Sequence, residues 1–231
     1  MALHADRPRM TRRTKTMAFL SGGLVLGLGI TATLAAWTDS EWVFGGNADG
    51  TGPGLGTSTF EVEQNVSSPY LPAEFAQDET NPGQDLTFTA GALALTPGTS
   101  VYAPVALRTV AGSVAGTVVL QDSEPAVGVG LEADDADDAL LGALTLRVAV
   151  SATATTCDAA AFATGALVTS GPLATAAGTG AQTLDASGGN TQFYCFEITL
   201  PAAPTLPTGV TLDDLQGRTV TPAWEFLSTS V

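Results

Sequence analysis

The chain has 231 residues, and positions 37–231 hold three basic side chains against 22 carboxylates, a formal charge of −19. A surface of that charge repels phosphate backbones and anionic lipid, which excludes nucleic acid as a partner. No histidine follows His4 and no lysine follows Lys15, so this region cannot form a histidine-activated nucleophile, a histidine-ligated zinc site or a Schiff base.

The first predicted element is an apolar leader over residues 17–36, which carries no charge and follows Arg12, Arg13 and Lys15. It ends in small residues, with Ala35 and Ala36 last, as a signal peptide does at its cleavage site. We therefore predict a signal peptide over residues 1–36 and an exported protein. The alternative is a retained membrane anchor, since about 20 apolar residues can span a bilayer. Translation could also begin at Met10.

The next segment, residues 37–56, is predicted to be a mature N-terminal arm followed by a linker. Trp37, Trp42, Val43 and Phe44 make the arm aromatic, and a glycine-rich run over residues 45–56 is typical of a flexible linker. An apolar strand tethered in this way can fold back on its own sheet or add to the sheet of a neighbour.

Residues 57–231 are predicted to form one antiparallel β domain, because apolar and polar residues alternate with period two in several short segments. A loop over residues 64–83 and a Pro97-Gly98 turn separate some of them. Pro104 predicts an edge or a bulge, because proline lacks a ladder donor. The predicted strands are 60–63, 86–90, 101–110, 114–121, 144–153, 194–200 and 218–228.

The acidic run over residues 131–141 is predicted to be a short helix or an acidic loop. Asp134, Asp135, Asp137 and Asp138 suggest calcium, but their spacing is not that of an EF-hand loop. A solvated acidic face is the alternative that we favour, so we predict no metal site and no cofactor.

Cys157 and Cys195 are the only cysteines, and an even number in an exported protein predicts a disulfide. A redox thiol is the alternative, but no CxxC motif and no histidine partner support it. The segment between them, residues 158–191, contains mostly small residues, so the sequence specifies its structure poorly, and we expect the disulfide to matter most there.

Two segments near the start resemble the TasA/camelysin family: Ala35 to Glu41 after a glycine-rich leader, and Gly56 to Glu63. The Pro97-Gly98 turn and the ending over residues 215–226 are similar to that family as well. The resemblance implies a jelly-roll β-sandwich and processing by a SipW-type signal peptidase. Camelysin-type members are described as metalloproteases, but that activity does not transfer to a chain without an imidazole after His4.

The resemblance and the arm together predict a secreted structural subunit of an extracellular fibre or biofilm matrix, associated with the cell surface. Its expected partner is another copy or a related matrix subunit, joined by donation of the arm, and it would touch a membrane only through an uncleaved leader. The alternative is a secreted binding module or adhesin, with Trp37, Trp42 and Tyr70 as exposed stacking platforms. We expect no enzyme activity, because no catalytic constellation is present.

Overall fold

The computed structural model describes residues 40–45, 54–129 and 135–231. The predicted leader, the cleavage site at Ala35 and Ala36, and Trp37 lie outside the described residues. The chain divides into two compact units, Met1–Gly56 and Thr57–Val231. Within the described ranges, no helix has the length and apolar character needed to cross a membrane.

The described part of the first unit is short, and nearly all of its residues are exposed to solvent. Residues 40–45 and 54–56 form neither helix nor strand. The side chains of Trp42, Val43 and Phe44 are 92%, 95% and 88% exposed. Three large apolar side chains in sequence therefore have almost no packing contact.

The second unit is all-β, as predicted, and its described residues form two antiparallel sheets. The five-stranded sheet has the order β1-β2-β7-β4-β5, and the three-stranded sheet has the order β6-β3-β8. The strands are β1 Val62–Asn65, β2 Thr99–Thr109, β3 Gly116–Pro125, β4 Thr145–Ser151, β5 Ala166–Pro172, β6 Gln182–Leu184, β7 Gln192–Leu200 and β8 Pro222–Ser230. The helices are α1 Ala139–Ala143 and α2 Ala161–Thr164, with 3-10 turns at Ala92–Ala94, Ala186–Gly188 and Leu212–Leu215.

One hydrophobic core lies between the two sheets and draws on both. In β4, the predicted alternation holds, because Leu146 and Val148 are completely buried while Arg147 on the opposite face is exposed. Val118 and Leu120 of β3 face the same core from the other sheet. Burying these side chains stabilises the fold by roughly 25 cal/mol per Å² of apolar area.

The Pro97-Gly98 turn is confirmed. The N–H of Thr99 donates to the carbonyl of Thr96 at 3.0 Å. Gly98 has a φ of +87°, a left-handed conformation that glycine adopts without strain. Pro104 lies inside β2 rather than in an edge strand, but β1 pairs only with residues 106–109 of β2. The backbone at Pro104 is therefore a local edge on that side, which explains why proline is tolerated.

One predicted strand is absent. Residues 86–90 are not a strand, although Leu86 and Phe88 pack against the core. Their backbone makes only one bond to the sheet among the described contacts, from the N–H of Thr89 to the carbonyl of Tyr102 at 2.8 Å. The period-two pattern therefore came from an extended chain that follows the core without pairing.

Residues 158–191, whose structure the sequence specifies poorly, contain α2, β5, β6 and a 3-10 turn. Small residues suit this segment because it packs closely. A Cβ added at Gly178, for example, would lie 3.2 Å from a methyl carbon of Val168. Backbone hydrogen bonds to larger neighbours supply the order that its own side chains do not.

The acidic run is partly a helix, since α1 occupies its end, and residues 130–134 lie outside the described ranges. The prediction of a solvated acidic face is wrong for Asp135, because its side chain is only 2% exposed. Its carboxylate accepts the N–H groups of Leu140 and Leu141 at 2.9 and 2.8 Å and pairs with Arg218 at 2.8 Å. Asp135 thus caps the start of α1.

Candidate functional site

A cleft of about 1060 Å³ lies between the two sheets of the second unit. It lies on the side where β1 ends the five-stranded sheet and β8 ends the three-stranded sheet. Strands β5 and β6, at the opposite side, contribute no residue to its lining. We call this cavity the cleft. Its size is at the upper end of the range for ligand pockets.

The inner wall of the cleft is apolar and belongs to the core. The floor is formed by residues of β2 and β7, together with Leu144 and Leu173. One side wall is formed by β8 and the residue Val220 before it, and the other by β1 and the chain between β1 and β2. The floor residues are Val101, Val105, Leu107, Leu144, Leu173, Phe196 and Ile198, and the wall residues are Val62, Val66, Leu86, Phe88, Leu95, Val220, Trp224 and Phe226. All eight wall residues are only partly buried, so the cleft leaves apolar surface in contact with solvent.

The edge of the three-stranded sheet is open at the cleft. Strand β8 pairs with β3 on one side and has no strand partner on its other side among the described residues. The opposite side of the molecule is closed, because the N–H groups of Gly178 and Thr179 donate to the carbonyls of Leu120 in β3 and Val168 in β5, at 2.9 and 3.3 Å. An unpaired strand edge is a template for another strand.

Two aromatic side chains next to the cleft have polar atoms without a hydrogen-bond partner. The Nε1–H of Trp224 and the hydroxyl of Tyr194 are buried, and neither is paired within the described ranges. Trp224 lines the cleft, and its ring lies 5.1 Å from the ring of Phe196 with a tilt of 60° between the ring planes. Burial raises the pKa of Tyr194 well above its usual range. A buried donor without an acceptor is unusual in a folded protein.

The arginines of the second unit are all engaged elsewhere. Arg108 pairs with Glu63 at 2.6 Å and lies over the ring of Phe75 at 3.8 Å. Arg147 pairs with Glu197 and lies over Phe162. Arg218 pairs with Asp135 and Asp137. Among the described residues that line the cleft, none is basic.

Comparisons with protein-family models, with curated proteins and with solved structures find no match to this chain. Within the described residues, no group of three or more histidine, cysteine or acidic side chains is arranged to hold a metal ion.

The structure places the predicted site residues as follows. Cys157 and Cys195 form a disulfide, as predicted, which is typical of an oxidising, extracytoplasmic environment. Trp42, Val43 and Phe44, the predicted residues of the arm that the structure describes, are exposed. Tyr70 is not an exposed platform, because its ring packs edge-on against Phe193 at 5.1 Å and against Phe75 at 6.3 Å.

The cleft itself was not predicted. Its floor residues were assigned to the core from their alternation, which is correct, but alternation does not reveal whether a core is covered. The open side depends on which strand lies at each sheet edge, and this follows from long-range pairing. A sequence signal was present in β8, where Trp224 and Phe226 stand on one face of the last strand.

Proposed function

We propose that this protein is an exported structural subunit of an extracellular fibre or matrix, with a jelly-roll β-sandwich over residues 57–231. After removal of the leader, the arm formed by residues 37–44 of one copy inserts into the cleft of another copy and pairs with the free edge of β8. The resemblance to the TasA/camelysin family, which implies processing by a SipW-type peptidase, supports this proposal.

The observation that carries the proposal is the apolar cleft beside an unpaired strand edge. A donated strand would supply two things that the described residues do not provide at the cleft: backbone partners for the outer edge of β8, and apolar side chains against Trp224 and Phe226. One ligand of this kind accounts for both features.

The arm has the pattern that such a strand needs. Successive side chains of a strand point to opposite faces, so in a donated strand Trp42 and Phe44 would lie on one face and Glu41 and Val43 on the other. Both aromatic side chains are exposed, and inserting them would bury about 150–250 Å² each. The twelve residues of the linker, 45–56, can span at most roughly 40 Å when extended, which sets the reach of the arm.

The test is deletion of the arm. The mature protein without residues 37–44 is expected to remain a folded monomer, while the mature protein beginning at Trp37 forms filaments, as measured by size-exclusion chromatography with light scattering and by electron microscopy. A matched variant, Trp42→Ser with Phe44→Ser, keeps the length of the arm and is expected to behave like the deletion. Filaments formed by the deletion variant would contradict strand donation.

A second function, a secreted binding module or adhesin, is favoured by the exposure of Trp42 and by the volume of the cleft. In that case Trp42 would stack on a sugar ring rather than enter a neighbouring copy. Binding of the mature protein to a glycan array, abolished by Trp42→Ala in the absence of any polymer, would support this alternative and contradict the fibre.

A further inference from the structure

The cleft has an acidic rim around its apolar wall. Eight carboxylates line it, and Glu63 alone among them is paired with an arginine. The other seven are exposed, come from four separate segments of the chain and define what we call the rim. The rim consists of Glu61, Asp78, Glu79, Asp85, Asp122, Glu124 and Glu225.

The arm is acidic as well. Asp39 and Glu41 stand next to the aromatic residues, and residues 37–56 contain no lysine, arginine or histidine. Apart from the α-amino group that cleavage creates, the segment therefore carries only negative charge. It must approach an opening that is surrounded by charge of the same sign.

We propose that this repulsion is a gate on assembly: the acidic rim keeps the acidic arm of another copy out of the cleft until salt screens the charges. The inference rests on the proposed function, because it names the condition under which the same cleft is filled. A monomer released at low ionic strength stays soluble, and assembly begins where the ionic strength is higher.

The range of the repulsion is what makes it sensitive to salt. The screening length is about 30 Å at 0.01 M salt and about 10 Å at 0.1 M. At low salt, all rim carboxylates therefore act on the arm together, whereas at higher salt each acts only on its close neighbours. Fields of this kind change association rates by a factor of about 10 to 10³. The apolar contacts inside the cleft are not weakened by salt.

The experiment measures the initial rate of assembly of the mature full-length protein by light scattering. We expect this rate to rise on the order of tenfold from about 10 mM to about 300 mM sodium chloride. A rim variant, with Asp85→Asn, Asp122→Asn, Glu124→Gln and Glu225→Gln, is expected to assemble faster at low salt and to respond to salt several-fold less. An arm variant, Asp39→Asn with Glu41→Gln, is expected to do the same.

A control variant removes the same number of charges outside the cleft, through Asp138→Asn, Asp158→Asn, Asp185→Asn and Asp213→Asn. None of these residues lines the cleft. The control is expected to keep most of the salt dependence of the wild type, which separates the rim from the effect of net charge on aggregation.

The two proposals fail in different ways. If the mature protein forms no polymer at any salt concentration, the proposed function is contradicted. If it polymerises and the arm is required, but the rate is independent of salt or the control variant responds like the rim variant, strand donation stands and the electrostatic gate is wrong.

Discussion

Arg218 connects the acidic run to the segment that leads into β8. Its guanidinium bonds to Asp135 at 2.8 Å and to Asp137, and its Nε–H donates to the carbonyl of Asp214 at 2.7 Å. The hydrogen bond from Arg218 holds the pKa of Asp137 below the ordinary aspartate value of 3.8. A single cation thus joins α1 to the 3-10 turn at Leu212–Leu215.

This ion pair predicts a pH dependence of stability. A carboxyl group with a lowered pKa in the folded state contributes stability above its unfolded pKa, near 3.8, and that contribution is lost as the pH falls through the lower folded value. We expect Asp137→Asn to reduce the free energy of unfolding at pH 7 and to have no effect below both pKa values. Urea denaturation at several pH values measures the difference.

The partner of Asp137 provides the control for that prediction. In an Arg218→Gln background, Asp137→Asn is expected to have little further effect on the pH profile, because the interaction is already absent. An equal effect of Asp137→Asn in both backgrounds would show that the pH dependence comes from another group.

At the level of elements, the disulfide holds a segment that the core alone specifies weakly. Cys157 follows β4 and Cys195 lies in β7, 38 residues further along the chain. The disulfide therefore closes a loop that includes α2, β5 and β6. Strand β5 is an edge strand and pairs only with β4. Loss of the disulfide therefore raises the conformational entropy of the unfolded chain most in this region.

We expect replacement of both cysteines by serine to lower the free energy of unfolding by about 2–4 kcal/mol, because the unfolded chain regains the entropy of an open loop. Urea denaturation monitored by tryptophan fluorescence checks this. The wild type treated with a thiol reductant serves as the matched control and is expected to agree with the double variant. A double variant as stable as the oxidised wild type would contradict the prediction.

The strands that the sequence predicted correctly are those whose side chains alternate and whose backbone is paired. β4 and β7 meet both conditions, and their bounds lie within a few residues of the predicted ones. Residues 86–90 meet only the first condition, because alternation follows from an extended chain and does not require a partner. The strands β5 and β6 could not be predicted, since they lie in a segment of small residues and are held by pairing that composition does not reveal.

At the level of the whole molecule, the proposal joins the cleft to the proposed arm. The arm could be proposed from the sequence, because an aromatic cluster beside a glycine-rich linker is a local pattern. The cleft could not, because it results from β1 and β8 lying at sheet edges on the same side. The rim is likewise assembled from segments that are distant in sequence, such as Glu61 and Glu225.

The two fates of a tethered strand, folding back or joining a neighbour, can be separated by cross-linking. We expect copies carrying Phe44→Cys, mixed with copies carrying Leu86→Cys in the cleft, to give a cross-linked dimer with a short bismaleimide reagent. Leu86 lines the cleft, whereas Ser170 of β5 is exposed and does not line it. The matched control, Phe44→Cys mixed with Ser170→Cys, is therefore expected to give little dimer under the same conditions.

A copy carrying both Phe44→Cys and Leu86→Cys extends this test to folding back. Diluted into an excess of wild-type protein, this copy is expected to remain without an internal cross-link, because its cleft receives the arm of a wild-type neighbour. Gel electrophoresis after reduction of the native disulfide, followed by mass spectrometry, distinguishes an internal bridge from one between copies. An internal bridge that forms at every dilution would mean that the arm fills its own cleft, so that the free edge of β8 is closed within each copy and no polymer can grow by strand donation.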